Sequence, residues 1–255
     1  MALFTDGGIS TIEDLAAHDS GLMGVAGAEG IDLSGKLALA QQELEVELAA
    51  LLPRIELSGT RNGQPALSVE NVVVTRPLRF WHVFHTLELV YRDAYNNQLN
   101  DRYKGKWEQY RELSRWAAEK LMETGVGIAP EPLARAAPPR LTAEPGGAAT
   151  EETTYYARVA WTNAAGEEGA ASEWSLLSVG AGMTLMVAAV DPPARATGWN
   201  AFVGLSPDEL TQQNADPIPL GMPWTQWILI AGDRRPGDGQ PPSYVRALPR
   251  LIPRG

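Results

Sequence analysis

Thr154-Tyr-Tyr-Ala-Arg-Val-Ala-Trp-Thr162 decides how the second half of the chain is read. Tyr156, Arg158, Ala160 and Thr162 fall on one face and Tyr155, Ala157, Val159 and Trp161 on the other, the period of two that a strand imposes. Asn163-Ala-Ala-Gly-Glu-Glu-Gly169 then reads as a turn. Ser175–Val179, Met183–Val190, Trp199–Val203 and Trp224–Ile230 read as further strands, with Gly180-Ala-Gly182 as a hairpin turn between two of them. Short strands punctuated by Gly, Pro and Asp predict a β-sandwich over 151–232. Immediately upstream, Ile128-Ala-Pro-Glu-Pro132, Ala136-Ala-Pro-Pro139 and Pro145-Gly-Gly-Ala-Ala149 are dense in proline, which predicts an interdomain linker over 128–150.

Ahead of that linker the period is helical. Ser10-Thr-Ile-Glu13 has capping-box spacing, and a short helix is expected through His18. Gly21, Gly24, Gly27 and Gly30 read as a loop leading to Asp32, an N-cap candidate. Leu33, Leu37, Ala40, Leu44, Leu48 and Leu51 form one helical stripe, expected to stop at Pro53. Glu43, Glu45 and Glu47 give that helix an acidic outer surface. Residues 54–76 break the period and read as extended connections. Phe80, Phe84, Leu87, Tyr91 and Ala94 line the next helix, which Pro77 opens. Tyr103, Trp107, Tyr110, Ser114, Ala117 and Leu121 line a third, expected over 102–123 and ended by Gly125 and Gly127. Residues 1–127 are therefore expected to be a helical bundle containing an antiparallel αα-hairpin. The predicted fold is α+β in two domains, followed by an extended arm over 233–255.

The 255 residues carry 31 Asp plus Glu and 21 Lys plus Arg, a net charge of -10, which argues against bulk binding of nucleic acid or anionic lipid. The distribution says more than the sum. Residues 1–70 hold 11 acids and 3 bases, 71–123 hold 7 acids and 9 bases, 138–232 hold 10 acids and 3 bases, and 233–255 hold 2 acids and 5 arginines. Zero Cys excludes disulfides, thiol nucleophiles and Cys-ligated metal. With no basic leader and no long apolar run, neither export by a signal peptide nor a membrane span is expected.

Catalytic chemistry finds little support. His82, His85 and Glu88 sit one turn apart, so a His-x-x-His-x-x-Glu metal site is conceivable, but successive i+3 steps rotate around the helix. His18-Asp19-Ser20 holds triad residue types, yet adjacent side chains cannot converge as nucleophile, base and orienter. Gly180-Ala-Gly182 lacks the third glycine of a dinucleotide fingerprint, because Leu185 stands there. The chain is expected not to be an enzyme, with no metal and no cofactor. Arg76, Arg79, Arg92, Arg102, Lys104, Lys106, Arg111, Arg115 and Lys120 alternate with aromatic residues. Glu88, Glu108, Glu112 and Glu119 sit at i+3 or i+4 from several of them and neutralise a DNA-reading surface. A face between subunits is the better expectation, with Trp81, Trp107, Tyr110, Trp116, Arg92 and Arg115 as its candidates. In the tail, Tyr244, Val245, Leu248, Leu251 and Ile252 fit either a disordered end or an arm that orders against a partner or a neighbouring copy.

The stretch from Tyr155 to Glu173, with Thr197-Gly-Trp-Asn-Ala-Phe-Val-Gly204 and Pro217-Ile-Pro-Leu-Gly221, resembles the immunoglobulin-like or fibronectin-like domains attached to structural proteins of tailed bacteriophages. Trp224-Thr-Gln-Trp-Ile228 departs from the plainer turn usual there. In element order, Leu33–Leu52 and Arg79–Glu123 resemble the head-to-tail adaptor, or connector, proteins of the same viruses. These resemblances imply a virion neck component made in the bacterial cytoplasm. It would be a ring of identical subunits, commonly twelve, between portal and tail or tail-completion protein, through which double-stranded DNA passes without sequence recognition. They also imply that truncation after Gly239 blocks joining while leaving the monomer folded. The alternatives are a tail-completion or baseplate protein, or a sandwich that displays Trp174, Trp199, Trp224 and Trp227 to a host-surface glycan. A glycan platform needs those rings exposed, whereas a sandwich core needs them buried.

Overall fold

A computed structural model describes residues 2–57, 66–98, 101–147, 150–225, 229 and 232–247. It is a mixed helix and sheet protein whose helices lie in the N-terminal part and whose larger antiparallel sheets lie in the C-terminal part. The chain divides into two compact units, one comprising Gly7–Pro130 with Pro242–Gly255, the other Met1–Asp6 with Glu131–Pro241.

In the first unit, helix α1 (Ile12–His18) starts at Thr11, whose hydroxyl accepts from the Asp14 amide while the Asp14 carboxylate accepts from the Thr11 amide. The capping box is thus one residue later than Ser10-x-x-Glu13 predicts, and Ser10 is drawn inward instead. Helix α2 (Leu22–Glu29) replaces the expected glycine loop. Leu22 and Ala26, one turn apart, are buried, and Gly30 caps the helix with a left-handed φ of 65° that costs other residues a steric penalty. Helix α3 (Leu33–Leu57) begins with Asp32 Oδ1 accepting from the Ser34 amide at 3.0 Å. It runs on through Pro53, against expectation. One lost helical hydrogen bond is offset by burial of Leu51, Leu52 and Ile55 around that turn.

Helices α4 (Arg76–Gln98) and α5 (Lys104–Thr124) form the hairpin. Ring contacts pair Phe84 with Trp116, Tyr91 with Tyr110 and Tyr95 with Trp107, so numbers rise along one helix as they fall along the other, which makes the pair antiparallel. α3 packs on α4 in the same sense, with Lys36 paired to Asp93 and Glu43 to His85. Beside the bundle, β1 (Val72–Val73), β2 (Val126–Ile128) and a final strand, numbered β11 below, form a small antiparallel sheet.

In the second unit, β3 (Arg140–Pro145) pairs along its length with β6 (Met183–Ala188), which also pairs with β10 (Trp224–Thr225). A second antiparallel sheet has the order β5 (Ser175–Val179), β4 (Thr153–Thr162), β7 (Gly198–Gly204), β8 (Thr211–Gln212), with β9 (Ile218–Pro219) also pairing β7. Tyr155, Ala157, Val159 and Trp161 of β4, Trp199, Ala201 and Val203 of β7, and Leu185 and Val187 of β6 share one apolar cluster, so the two sheets meet across a common core. The Gly180–Gly182 turn is not a hairpin, because β5 and β6 belong to different sheets; it carries the chain from one to the other. The expected 128–150 linker is likewise corrected, since Leu141 and Ala143 of β3 pack on the core and its backbone groups are taken up by β6. Leu3 and Phe4 are buried in this unit, and Asp6 accepts from the amides of Leu3 at 2.8 Å and Arg135 at 2.6 Å. Of the strand expected over Trp224–Ile230, β10 is formed, and 226–228 and 230 lie outside the described residues.

Gly24 and Gly27 lie on the exposed face of α2, and a Cβ at either would meet no heavy atom within 4 Å. Gly24→Ala and Gly27→Ala should each stabilise the fold by about 0.4–1 kcal/mol, by reducing the freedom of the unfolded chain. Urea denaturation of the single and double variants checks this, and Gly30→Ala, at a positive φ, should do the opposite.

Candidate functional site

The turn between α1 and α2 carries Asp19 into the bundle, where its carboxylate is 7% exposed. Its Oδ2 accepts from the Tyr91 hydroxyl at 2.7 Å, the Tyr110 hydroxyl at 2.9 Å and the Lys106 ammonium at 3.1 Å, and its Oδ1 accepts from the Gly21 amide at 3.0 Å. Burial alone would raise the Asp19 pKa. These donors outweigh it and hold the group below the usual carboxylate range. Burial and the bond to Asp19 push both tyrosine pKa values up, so the hydroxyls stay protonated donors. This cluster is a clasp between three elements and leaves no nucleophile. His18 faces away from any triad, edge-on to Phe84 at 5.0 Å and Phe80 at 5.9 Å.

The two helix histidines go to different partners. His82 is 1% exposed, with Nε2 donating to the Leu37 carbonyl at 3.1 Å and Nδ1 accepting from the Ser10 hydroxyl. Burial lowers its pKa to about 4, so the ring is neutral at pH 7. His85 Nε2 donates to Glu43 at 2.6 Å and Nδ1 to Glu88 at 3.3 Å. Burial opposes charge on His85 too, but the bonds to Glu88 and Glu43 prevail and raise its pKa. The conceived His82–His85–Glu88 site is therefore not assembled, and no group of three His, Asp or Glu that could hold a metal occurs among the described residues.

Around His85 the three long helices leave a groove of about 480 Å³. Trp81, His85 and Glu88 of α4 form its floor. Leu44, Glu43, Val46 and Glu47 of α3 make one wall, and Ser114, Arg115 and Ala118 of α5 the other. Val46 is 70% exposed, a β-branched apolar side chain on the rim between two exposed glutamates. It is off the buried leucine stripe of α3, and an apolar residue set between two acids away from that stripe is a signal readable in the sequence.

The expected interface residues divide. Tyr110 and Trp81 are buried within the unit, so neither is available to a partner in this conformation. Trp107 is half-buried, stacked on Tyr95 at 5.6 Å with the Arg111 guanidinium 5.6 Å from its ring. Trp116 is 45% exposed, Arg115 is exposed at the groove, and Arg92 is half-buried. In the tail, β11 (Tyr244–Arg246) pairs with β2, Tyr244 opposite Ile128 and Val245 opposite Gly127. This part of the arm is committed to its own chain, although Val245 stays half exposed. Leu248, Leu251 and Ile252 lie outside the described residues. Among the tryptophans considered for a glycan platform, Trp199 is core, Trp224 is partly buried, Trp174 is exposed and stands edge-on to Tyr156, and Trp227 lies outside the described residues. Four rings do not form one exposed platform.

Truncation after Gly239 would cut into the fold itself. Gln240 is fully buried; its Oε1 accepts from the Leu133 amide, and its Nε2 donates to the Glu131 carbonyl and the Glu167 carboxylate. Cutting there strands those groups and removes β11, so the monomer would be damaged as well as any joining function.

Tyr110→Phe removes one donor from a buried carboxylate and should cost about 1–3 kcal/mol in chemical denaturation, with the helical content retained. His82 supplies a pH test. Its folded pKa, about 4, lies below the ordinary histidine value of 6.5, so the unfolded chain takes up the proton first. Its stabilising contribution is full above pH 6.5 and is lost as pH falls toward 4, amounting to at most about 3 kcal/mol. Denaturation curves across that range should be steeper in pH for the natural chain than for His82→Gln; equal slopes would exclude the histidine as the cause. Compared with protein-family models and with curated proteins, the chain matches none.

Proposed function

We propose that the chain is a subunit of a homo-oligomeric ring at the head-to-tail junction of a tailed bacteriophage, an adaptor between portal and tail through which DNA passes. The observation that carries this reading is the unlike surfaces of one helical unit. α3 exposes Glu45, Val46 and Glu47, whereas α5 exposes Trp116 among charges of both signs, Lys104, Lys106 and Arg115 with Glu108, Glu112 and Glu119. Two copies meeting through the same α3 patch would set acid against acid. Two copies meeting through different patches bring Val46 to Trp116 and let Glu45 or Glu47 face Lys104, Lys106 or Arg115. A contact between unlike patches repeats head to tail and closes into a ring where the rotation allows.

The resemblance of the helical segments to phage connectors supplies the location and the twelvefold expectation. The second unit is read as an immunoglobulin-like sandwich of the kind phage structural proteins carry; the core shared by its two sheets supports that reading, with Trp161 opposite Trp199 in neighbouring strands. The acidic balance of 1–70 and 138–232 suits a conduit that DNA crosses without adhering.

Electron microscopy of the purified chain, alone and with the portal of the same virus, tests the reading. Rings are expected at about 0.1 M salt, with dissociation toward 1 M, where the screening length falls to about 3 Å. Trp116→Ala should weaken the rings without unfolding the monomer. A chain that stays monomeric at every concentration, with and without portal, would overturn the proposal.

A further inference from the structure

The groove between α3 and α5 has the chemistry of a receptor for a basic, apolar peptide, and the chain carries such a peptide at its end. Val46 and Ala118 offer apolar surface, and the acids Glu43, Glu47 and Glu88 outnumber Arg115 and His85 among the charged linings, with Glu47 left clear of the His85 bonds that engage Glu43 and Glu88. Leu248-Pro-Arg-Leu-Ile-Pro-Arg-Gly255 carries three large aliphatic residues and two arginines, with no acid. We propose that residues 248–255 of one copy dock in the α3–α4–α5 groove of a second copy. This deepens the ring reading and rests on it for the presence of a neighbouring copy.

The ring reading supplies the second copy as host, and the chain's own groove is the outcome that the crosslinking below separates from it. β1 leads into α4, β2 follows α5, and β11 lies on the side of β2 away from β1. Arg246 pairs with Val126, so β11 runs toward the C-terminal end of α5, on the opposite side of β2 from the strand that leads into α4. Gly125 permits this close passage, since a Cβ there would stand 2.6 Å from the Arg246 carbonyl carbon. Eight extended residues reach about 26 Å, and the floor from Trp81 to Glu88 runs about 10 Å along the helix. The tail is long enough to cross to a neighbour and still line the groove. Its two prolines restrict backbone freedom and so lower the entropy lost on docking. An exposed Val46 between glutamates then has a role: it receives an aliphatic side chain while Glu47 receives an arginine.

Two measurements test this. A labelled Leu248–Gly255 peptide should bind a chain ending at Ala247, and binding should fall at least tenfold with Val46→Arg plus Glu47→Arg, both at exposed positions that leave the core intact. No binding, or binding indifferent to those changes, overturns the proposal. In the full chain, a photo-crosslinker at Leu251, in a mixture of ¹⁵N-labelled and unlabelled protein, should give mixed-isotope crosslinks to α3 or α4. Crosslinks confined to one isotope would place the tail on its own chain and overturn the second copy as host. Rings with Leu251 crosslinked elsewhere would sink the docking alone and leave the ring reading intact. Absence of rings would sink the ring reading, with peptide binding still reporting on the groove.

Discussion

The Asp19 carboxylate is the constraint on which the helical unit turns. Moving a charge out of water costs several kcal/mol unless partners replace the lost hydration. Here they come from α4 through Tyr91, from α5 through Tyr110 and Lys106, and from the start of α2 through the Gly21 amide. None of these elements satisfies the carboxylate alone, so the α1–α2 turn, α4 and α5 are fixed together or the charge is stranded. The energy of the clasp is modest, because such a set of bonds mostly recovers hydration. Its consequence is register. Sliding α5 by one turn against α4 would carry Tyr110 about 5.4 Å from its acceptor. The groove walls, built from the same helices, take their spacing from that register.

Legibility in the sequence follows the range of the forces involved. The α4–α5 hairpin and the strands at 154–162 and 199–203 were readable because their burial repeats at short period, and local pattern and tertiary packing agree there. The stop expected at Pro53 failed because packing of Ile55 outweighs a local helix penalty. α2 was hidden by glycines that sit on its outer face, where their lack of side chains costs helix propensity without costing burial. The linker failed for a different reason. Proline density forbids helix, but strand β3 begins only after Pro138 and Pro139 and ends at Pro145, so the prolines flank the strand rather than interrupt it.

Residue type was also a poor guide to role within the site. Aromatic content drew attention to Trp81 and Tyr110, which the bundle needs for itself. The exposed, chemically unlike positions are Val46, Glu47, Arg115 and Trp116. Tyr110 and Ser114 share one stripe and Arg115 and Trp116 the next, so only contacts with α3 and α4 tell which side of α5 is outward. A large aromatic is as useful to a core as to an interface, whereas a lone valine between glutamates on a helix has no core to serve.

The C-terminal segment serves two masters in succession, and that order limits what it can do. Gln240 belongs to the sheet unit, where three groups use its amide; two residues later the chain enters the helical unit and becomes the outer strand of a three-stranded sheet. β2 is only three residues long and lies between β1 and β11, so without β11 one side of it loses its backbone partners. A single arm released as a whole would therefore expose the β2 edge each time it left. Anchoring through Arg246 avoids this. Only residues beyond the anchor can exchange between partners at no cost to the fold, and this confines any docking function of the arm to its basic, proline-bearing end.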